Sequence, residues 1–292
     1  MKIAVVSHTP IDYIQSSKVN TITIGGPTCY GGSMIKSFSH DVSLITKIGT
    51  DFDLKDLLNK KGLTIHDNFI SDKPTTRFKI LIDGNERRLF LLARCADITV
   101  EDVDKDSDAV IISPIIHEVR SDVISKMSKR SNFIFVDPQG YLRKFSNDGR
   151  CYLDKTTFDF SKLNIDVIKV DIEEAFALTG SRGADALYKL PVKTAIMTVK
   201  NRTLMLHNER IYEIITDIIG TKDTTGVGDI LGGAYTSSFV QTHDVLWALC
   251  NGVAASVLAL KTNKVGIEKI PRRKDVEEYA STLQNKIRTV TT

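Results

Sequence analysis

The sequence predicts an α/β chain built on a doubly wound, mainly parallel sheet flanked by helices, with a small β lid. Short apolar runs rich in β-branched residues recur at 3–6, 42–45, 109–112, 133–136, 167–170 and 194–199, and unbroken runs of this kind suit strands buried on both faces. Helical stretches such as 118–130 and 173–179 fall between them, which supplies the crossovers that parallel neighbours require. One segment departs from that pattern. Across 76–82, Phe78, Ile80 and Ile82 alternate with Arg77 and Lys79, Asp83-Gly84 is a turn signal, and a second extended run starts at Arg88, so a hairpin without a helix is expected.

Taken in order, MKIAVVSHTPID carries an apolar run of only four residues after Lys2. It is too short for the core of a signal peptide or for a membrane span and reads as the first strand. Residues 11–24, where Ile22-Thr23-Ile24 precedes a glycine pair, are expected to join 72–95 in a small sheet that closes over substrate, the alternative being an edge hairpin of the main sheet. Near the C-terminal end, 229–239 and 244–260 read as consecutive helices. Val245, Leu246, Leu249, Val253, Val257 and Leu260 recur at helical spacing, and Gly252, Ala254 and Ala255 permit close packing. Trp247 is assigned to packing. No repeat, low-complexity tract or linker interrupts the chain, so 1–292 is read as a single domain with the lid formed by about 11–24 and 72–95.

A chain of 292 residues has ample core, and 42% hydrophobic with 26% charged residues argues against extended disorder. A net charge of +3 is too small to imply nucleic acid, and the clusters Arg87-Arg88 and Arg272-Arg273-Lys274 read as solvated surface. Cys29, Cys95, Cys151 and Cys250 include no C-x-x-C pair, which excludes a zinc knuckle or a dithiol redox motif and suits reduced thiols in the cytoplasm.

The stretch TKDTTGVGDILGGA, residues 221–234, sets Asp223 and Asp229 on either side of a glycine pair where a helix begins. Asp and Thr are good N-caps, so a plain capping loop is one reading. The other is an anion site. A turn through Thr225-Gly226-Val227-Gly228 would leave amide N–H groups aimed at one spot, reinforced by the helix dipole, and a missing Cβ lets backbone reach oxygen directly. A carboxylate beside bound phosphate is repulsive unless it serves another purpose, such as aiming an alcohol at phosphorus and accepting its proton. The helix terminus is expected to keep Asp229 ionised. Asp223 is read as structural or as a group near a cation.

Residues 223–229 match the D-T-x-G-x-G-D signature of the ribokinase-like (phosphofructokinase B) family of carbohydrate kinases, with Val227 where Ala is usual. The resemblance extends from about 3 to 271 through Asp12, Gly25-Gly26, the K-I-G-x-D stretch at 47–51, the acidic helix start at 171–174, and Gly266 before Pro271. It implies Asp229 as catalytic base, with Gly226, Val227 and Gly228 as the anion hole. It places Asp12, Gly25 and Gly26 on substrate hydroxyls, and Thr198, Asn201 and Asn251 at the nucleotide, although a helical Asn251 also suits a polar core position. It further implies ATP and Mg²⁺, a monovalent cation in some members, and dimers paired through the lid. There are departures. The Asn-x-x-Glu motif stands here as Asp171-Ile-Glu-Glu174, whose acids share a helix face and suit either Mg²⁺ or the helix dipole. Tyr30 occupies the place of a furanose-contacting Asn, and the loop after Thr198 lacks the usual glycines.

For the acceptor, VDPQGYLR at 136–143 follows a buried strand, where ligand crevices open. Gln139 and Arg143 suit a polyhydroxylated ligand or else an exposed turn, and the D-P-Q-G-x-x-R pattern resembles archaeal and plant inositol kinases of the family. A cyclic polyol, myo-inositol first, is therefore expected. The alternatives are a nucleoside kinase with an apolar slot from Phe78, Phe90 and Tyr30, and a non-catalytic sugar- or nucleotide-binding regulator. Neither a nucleic acid nor a membrane is expected as partner.

Overall fold

The computed structural model describes residues 1–17, 20–83, 86–156, 158–219, 223–262 and 264–290. Gly84 of the hairpin turn signal, and Thr221 and Lys222 at the head of the glycine-rich stretch, lie outside the described residues. Strands β4 (Asp41–Ile45), β1 (Lys2–Val6), β9 (Ala109–Ile112), β10 (Ile134–Val136), β13 (Val167–Asp171) and β14 (Thr194–Val199) lie side by side in that order, all parallel. Each apolar run read from the sequence falls on one of them. β1, β9 and β10 are almost wholly buried along their length, which is why they lack alternation. The sheet then continues antiparallel through β15 (Arg202–His207), β16 (Arg210–Ile215) and β17 (Arg288–Val290), a nine-stranded whole. This antiparallel flank was not among the expected strands.

Helices α1 (Gly26–Ser37), α7 (Val227–Thr242), α8 (Val245–Lys261) and α9 (Arg273–Gln284) pack in succession, while α5 (Ile172–Thr179) and α6 (Asp185–Tyr188) lie against β13 and β14. Shorter helices are α2 (Lys55–Asn59), α3 (Ser121–Met127) and α4 (Gln139–Leu142). The α1–α7 contact sets the height of the glycine turn. A Cβ on Gly233 would lie 2.8 Å from the Gly31 carbonyl oxygen, so the two backbones approach as only glycine allows.

A separate four-stranded sheet runs in the order β3 (Asn20–Ile24), β2 (Ile11–Ser16), β7 (Arg77–Asp83), β8 (Glu86–Ala93). The edge-hairpin alternative does not occur, because β7 pairs with β2 rather than with the main sheet. Two small pairs complete the fold, β5 (Ile48–Gly49) with β6 (Ile70–Ser71) and β11 (Arg143–Phe145) with β12 (Cys151–Leu153). The base of the small sheet is tied down by polar groups. Asp51 accepts from the amide and hydroxyl of Thr75 at 2.8 and 2.7 Å and pairs with Arg77 at 2.8 Å. Thr76 bridges His8 Nδ1 at 2.8 Å and the Cys95 amide at 3.0 Å. The K-I-G-x-D stretch thus anchors the small sheet to the body.

Candidate active site

A cavity of about 680 Å³ opens between the carboxyl ends of the parallel strands and the inner face of the small sheet. The body contributes Asp137, Lys169, Asp171 and Thr198 from strand ends, and the small sheet contributes Asp12, Phe78, Ile80, Arg87 and Leu89. In the sheet register Asp12 stands opposite Phe78 and Ile14 opposite Ile80, so one alternating face looks inward.

The glycine turn enters this cavity from α7. Gly226 has φ +73° and a Cβ there would lie 2.2 Å from the Tyr30 ring, so both its conformation and its contact demand glycine. The Val227 amide turns back to the Thr224 carbonyl at 3.3 Å and the Ile230 amide takes the Gly226 carbonyl at 2.9 Å. Among the described residues no acceptor takes the amides of Gly226, Gly228 or Asp229. The resemblance assigned the hole to Gly226, Val227 and Gly228. The free donors are instead those of 226, 228 and 229, because Val227 closes the turn.

Asp229 lines the cavity in the first turn of α7. Gln139 Nε2 stands 3.5 Å from its Oδ1, donates to Ser113 Oγ at 3.1 Å, and Gln139 Oε1 accepts from Arg143. Arg143 also donates to the Ile115 carbonyl at 3.2 Å. Burial pushes the Asp229 carboxyl up to about 7, Asp137 adds to the rise, and Lys169, Arg143 and Gln139 oppose it. This corrects the expectation of a plainly ionised carboxylate: desolvation and a second carboxylate outweigh the helix terminus. Transfer that requires Asp229 as a base should therefore rise about tenfold per pH unit below about 7 and level off above it. A pH–rate profile of kcat/KM that stays flat down to pH ~5 would contradict this.

Beside the turn sits a group that sequence reading missed. Lys169, within the apolar run 167–170, is only 6% exposed and its Nζ lies 2.8 Å from Asp137 Oδ2. A Cβ on Gly228 would fall 2.7 Å from that Nζ, so the ammonium borders the free amides directly. Burial disfavours its charge, yet Asp137 and Glu174 outweigh burial and hold its pKa above the ordinary lysine value. The signal was a lysine inside a buried strand, which is rare without a partner.

At the small-sheet end, Gly25 makes room for Asp12: a Cβ on it would lie 1.9 Å from Asp12 Oδ2. Gly26, at φ +77°, starts α1 beside Pro10. Burial pushes Asp12 up to about 7, with Arg87 and Arg143 opposing. Arg87 is exposed, as read from the sequence, and also lines the cavity on the face it shares with Leu89. Phe78 and Tyr30 also line the cavity, whereas Phe90 pairs with Lys79 in the register between the inward pairs and is not part of the lining.

Thr198 and Asn201 line the opposite end, where Asn201 Nδ2 donates to the Thr216 carbonyl at 2.7 Å. Asn251 is elsewhere. It is fully buried, with Nδ2 donating to the Trp247 carbonyl at 2.9 Å and to Ser238 Oγ at 3.2 Å. It is not among the residues that line the cavity and sits between α7 and α8, as the polar core alternative would have it. Asp171 and Glu174 form a capping box on α5: Asp171 Oδ1 accepts from the amides of Glu173 and Glu174, and Glu174 Oε2 accepts from the amide of Asp171. Among the described residues no group of three or more His, Cys, Asp and Glu is gathered for a metal. Both acids still line the cavity, and the box uses only Asp171 Oδ1 and Glu174 Oε2. One or two carboxylates with waters and phosphates are the usual setting for Mg²⁺, so these residues fit it in that mode and not as a protein cage.

No family model matches the chain. Solved structures do. A pyrophosphate-dependent kinase of the ribokinase family, in a sulfate complex, superposes with a TM-score of 0.82 at 20% identity over 95% of this chain and 99% of its own. A pyrophosphate-dependent kinase of that family complexed with a pyrophosphate analog and myo-inositol gives 0.80 at 20% identity over 95% and 99%. Ribokinase from Thermotoga maritima gives 0.73 at 21% over 96% and 99%. At these identities the likeness establishes the fold, which is that of the ribokinase family.

Proposed function

We propose that this chain is a small-molecule kinase that transfers the γ-phosphoryl group of ATP to a hydroxyl of a cyclic polyol, with myo-inositol the favoured acceptor. One observation carries the reading: Gly226, Gly228 and Asp229, whose amides no described acceptor takes, line one cavity with a buried ammonium and the Asp229 carboxylate. Amides and ammonium stabilise charge on a phosphoryl group in transit, and the carboxylate aims and deprotonates the attacking alcohol. Asp12, Gln139, Arg143 and Arg87 supply acceptors and donors for a ring of hydroxyls. Asp171 and Glu174 would hold Mg²⁺ and its waters, which when bound draws charge from the phosphates.

The donor reading rests on the far wall, where Ile218, Ile219, Val253, Val257 and Leu260 line the cavity beside Thr198 and Asn201. A base would cover that apolar wall, and Ile218 is 85% exposed without it. Inorganic pyrophosphate, on which three of the similar solved structures depend, would leave it bare. The small sheet serves as a lid that excludes water. Ile22 and Leu92 stand exposed at 56% and 54% on its two edge strands and favour a homodimer through the lid. We assign the protein to the cytoplasm. No helix among the described residues is long and apolar enough to cross a membrane.

The second acceptor reading is a nucleoside, favoured by Phe78 on the inner face of the lid. A product-release screen crosses ATP and pyrophosphate with myo-inositol, ribose, fructose and adenosine. The expected result is the highest kcat/KM for ATP with myo-inositol. Faster turnover of adenosine would overturn the acceptor assignment, faster turnover with pyrophosphate the donor assignment, and no turnover with any pair the kinase itself.

A further inference from the structure

A second buried ion pair lies beneath the glycine turn. Asp223 opens the D-T-x-G-x-G-D stretch, and Lys269 ends the short turn Gly266–Lys269. The Lys269 side chain is 0% exposed and that of Asp223 6%, with Nζ 3.0 Å from Oδ2. Asp223 Oδ1 accepts from the Thr225 amide at 2.8 Å. The ammonium also lies 5.3 Å from the centre of the Tyr30 ring, the same ring whose Cδ2 a Cβ on Gly226 would meet at 2.2 Å. Lys269, Asp223 and Tyr30 therefore brace the turn, whose residues Gly226, Gly228 and Asp229 line the cavity.

A carboxylate buried at the base of an anion site needs a counter-charge, from a bound ion or from a side chain. The resemblance implies a monovalent cation in some members, and Asp223 is read from the sequence as structural or near a cation. The residues present do not fit one beside Asp223, because an ammonium already stands at bonding distance from Oδ2 and a second cation would repel it at low dielectric. Burial lowers the pKa of Lys269, against the opposing pull of Asp223. On Asp223 burial works upward and is outweighed by Lys269 and the bond from the Thr225 amide, which leave it below the usual carboxylate range.

We propose that Lys269 is a positioning residue that takes the place of a monovalent cation, fixing the turn through Asp223 and making the protein independent of potassium, sodium and ammonium ions. Its rate arm rests on the kinase reading; its stability arm does not. The full chain is exchanged into tetramethylammonium buffer and titrated at constant ionic strength with potassium or ammonium chloride. Melting temperature and turnover of the best donor–acceptor pair are both followed. The wild type should show no rise in melting temperature and less than about fivefold stimulation, the lower edge of ordinary site coupling. Lys269→Met should melt earlier, turn over more slowly, and regain part of both losses on adding potassium or ammonium, because the ion can then balance the Asp223 carboxylate in place of the ammonium. A wild-type melting temperature that climbs with potassium, stimulation above about fivefold, or a Lys269→Met enzyme as fast as its parent overturns the proposal. Should that variant fail to fold, the wild-type series decides, and should no pair be turned over, the kinase reading falls while the melting series still decides this one.

Discussion

Replacing Asp229 with Asn should lower kcat by about 10³-fold with little change in KM for either substrate. Asn has the shape of Asp and can keep the contact with Gln139, which stands 3.5 Å away, but it cannot accept a proton. The loss would not come from unfolding, and the sign of the linkage shows why. Burial, with Asp137 adding to it, raises the folded-state pKa of Asp229 to about 7 from an ordinary 3.8. Its contribution to stability is complete below the unfolded value and is lost as pH rises through about 7. At pH ~8 the parent carries a poorly solvated charge that the variant lacks, so Asp229→Asn should melt no lower than its parent. Steady-state kinetics and melting curves at that pH check both halves. A variant within about tenfold of the parent rate removes Asp229 as base.

Lys169→Met should cost about 10²-fold or more in kcat and destabilise the chain by about 3–5 kcal/mol, since it leaves Asp137 buried without its partner. Asp137 is 3% exposed and Lys169 6%, so water cannot easily replace the lost ammonium. Adding Asp137→Asn to Lys169→Met removes the orphaned charge and should recover most of the stability. It should not recover the rate, because the cation beside Gly228 is still missing. Denaturant melts and kinetics on both variants separate the two roles. Full activity in the stable double variant would make Lys169 purely structural.

How far the sequence reveals this arrangement depends on whether the cause is local. The parallel core is legible because strands covered on both faces leave unbroken apolar runs, and the turn at 226–229 because a missing Cβ and a nearby carboxylate are written side by side. The flank at 202–215 is harder to see. Its strands lie on the antiparallel side of the sheet with charged residues among the apolar ones, as Arg202, Arg210 and Glu213 show. Lys169 and Asp137 are separated by 32 positions, Lys269 and Asp223 by 46; neither pairing has any local signature. Asn251 and Arg87 mark the same limit from opposite sides. Spacing on a helix does not say which neighbour an amide meets, and a charged doublet does not say which member turns inward until the strand register is known. The raised pKa of Asp229 also needed the fold, since it follows from closure around the carboxylate and from Asp137 arriving at the end of β10.

The most direct test is a crystal structure with ADP, aluminium fluoride, Mg²⁺ and myo-inositol. The central claim is that the amides of Gly226, Gly228 and Asp229 hold the phosphoryl group in transit. It predicts fluoride ligands within about 3 Å of those nitrogens and of Lys169 Nζ, with an inositol oxygen in line and within about 3 Å of the Asp229 carboxylate. A fluoride group bound away from the turn, or an inositol oxygen beyond reach of Asp229, would contradict it.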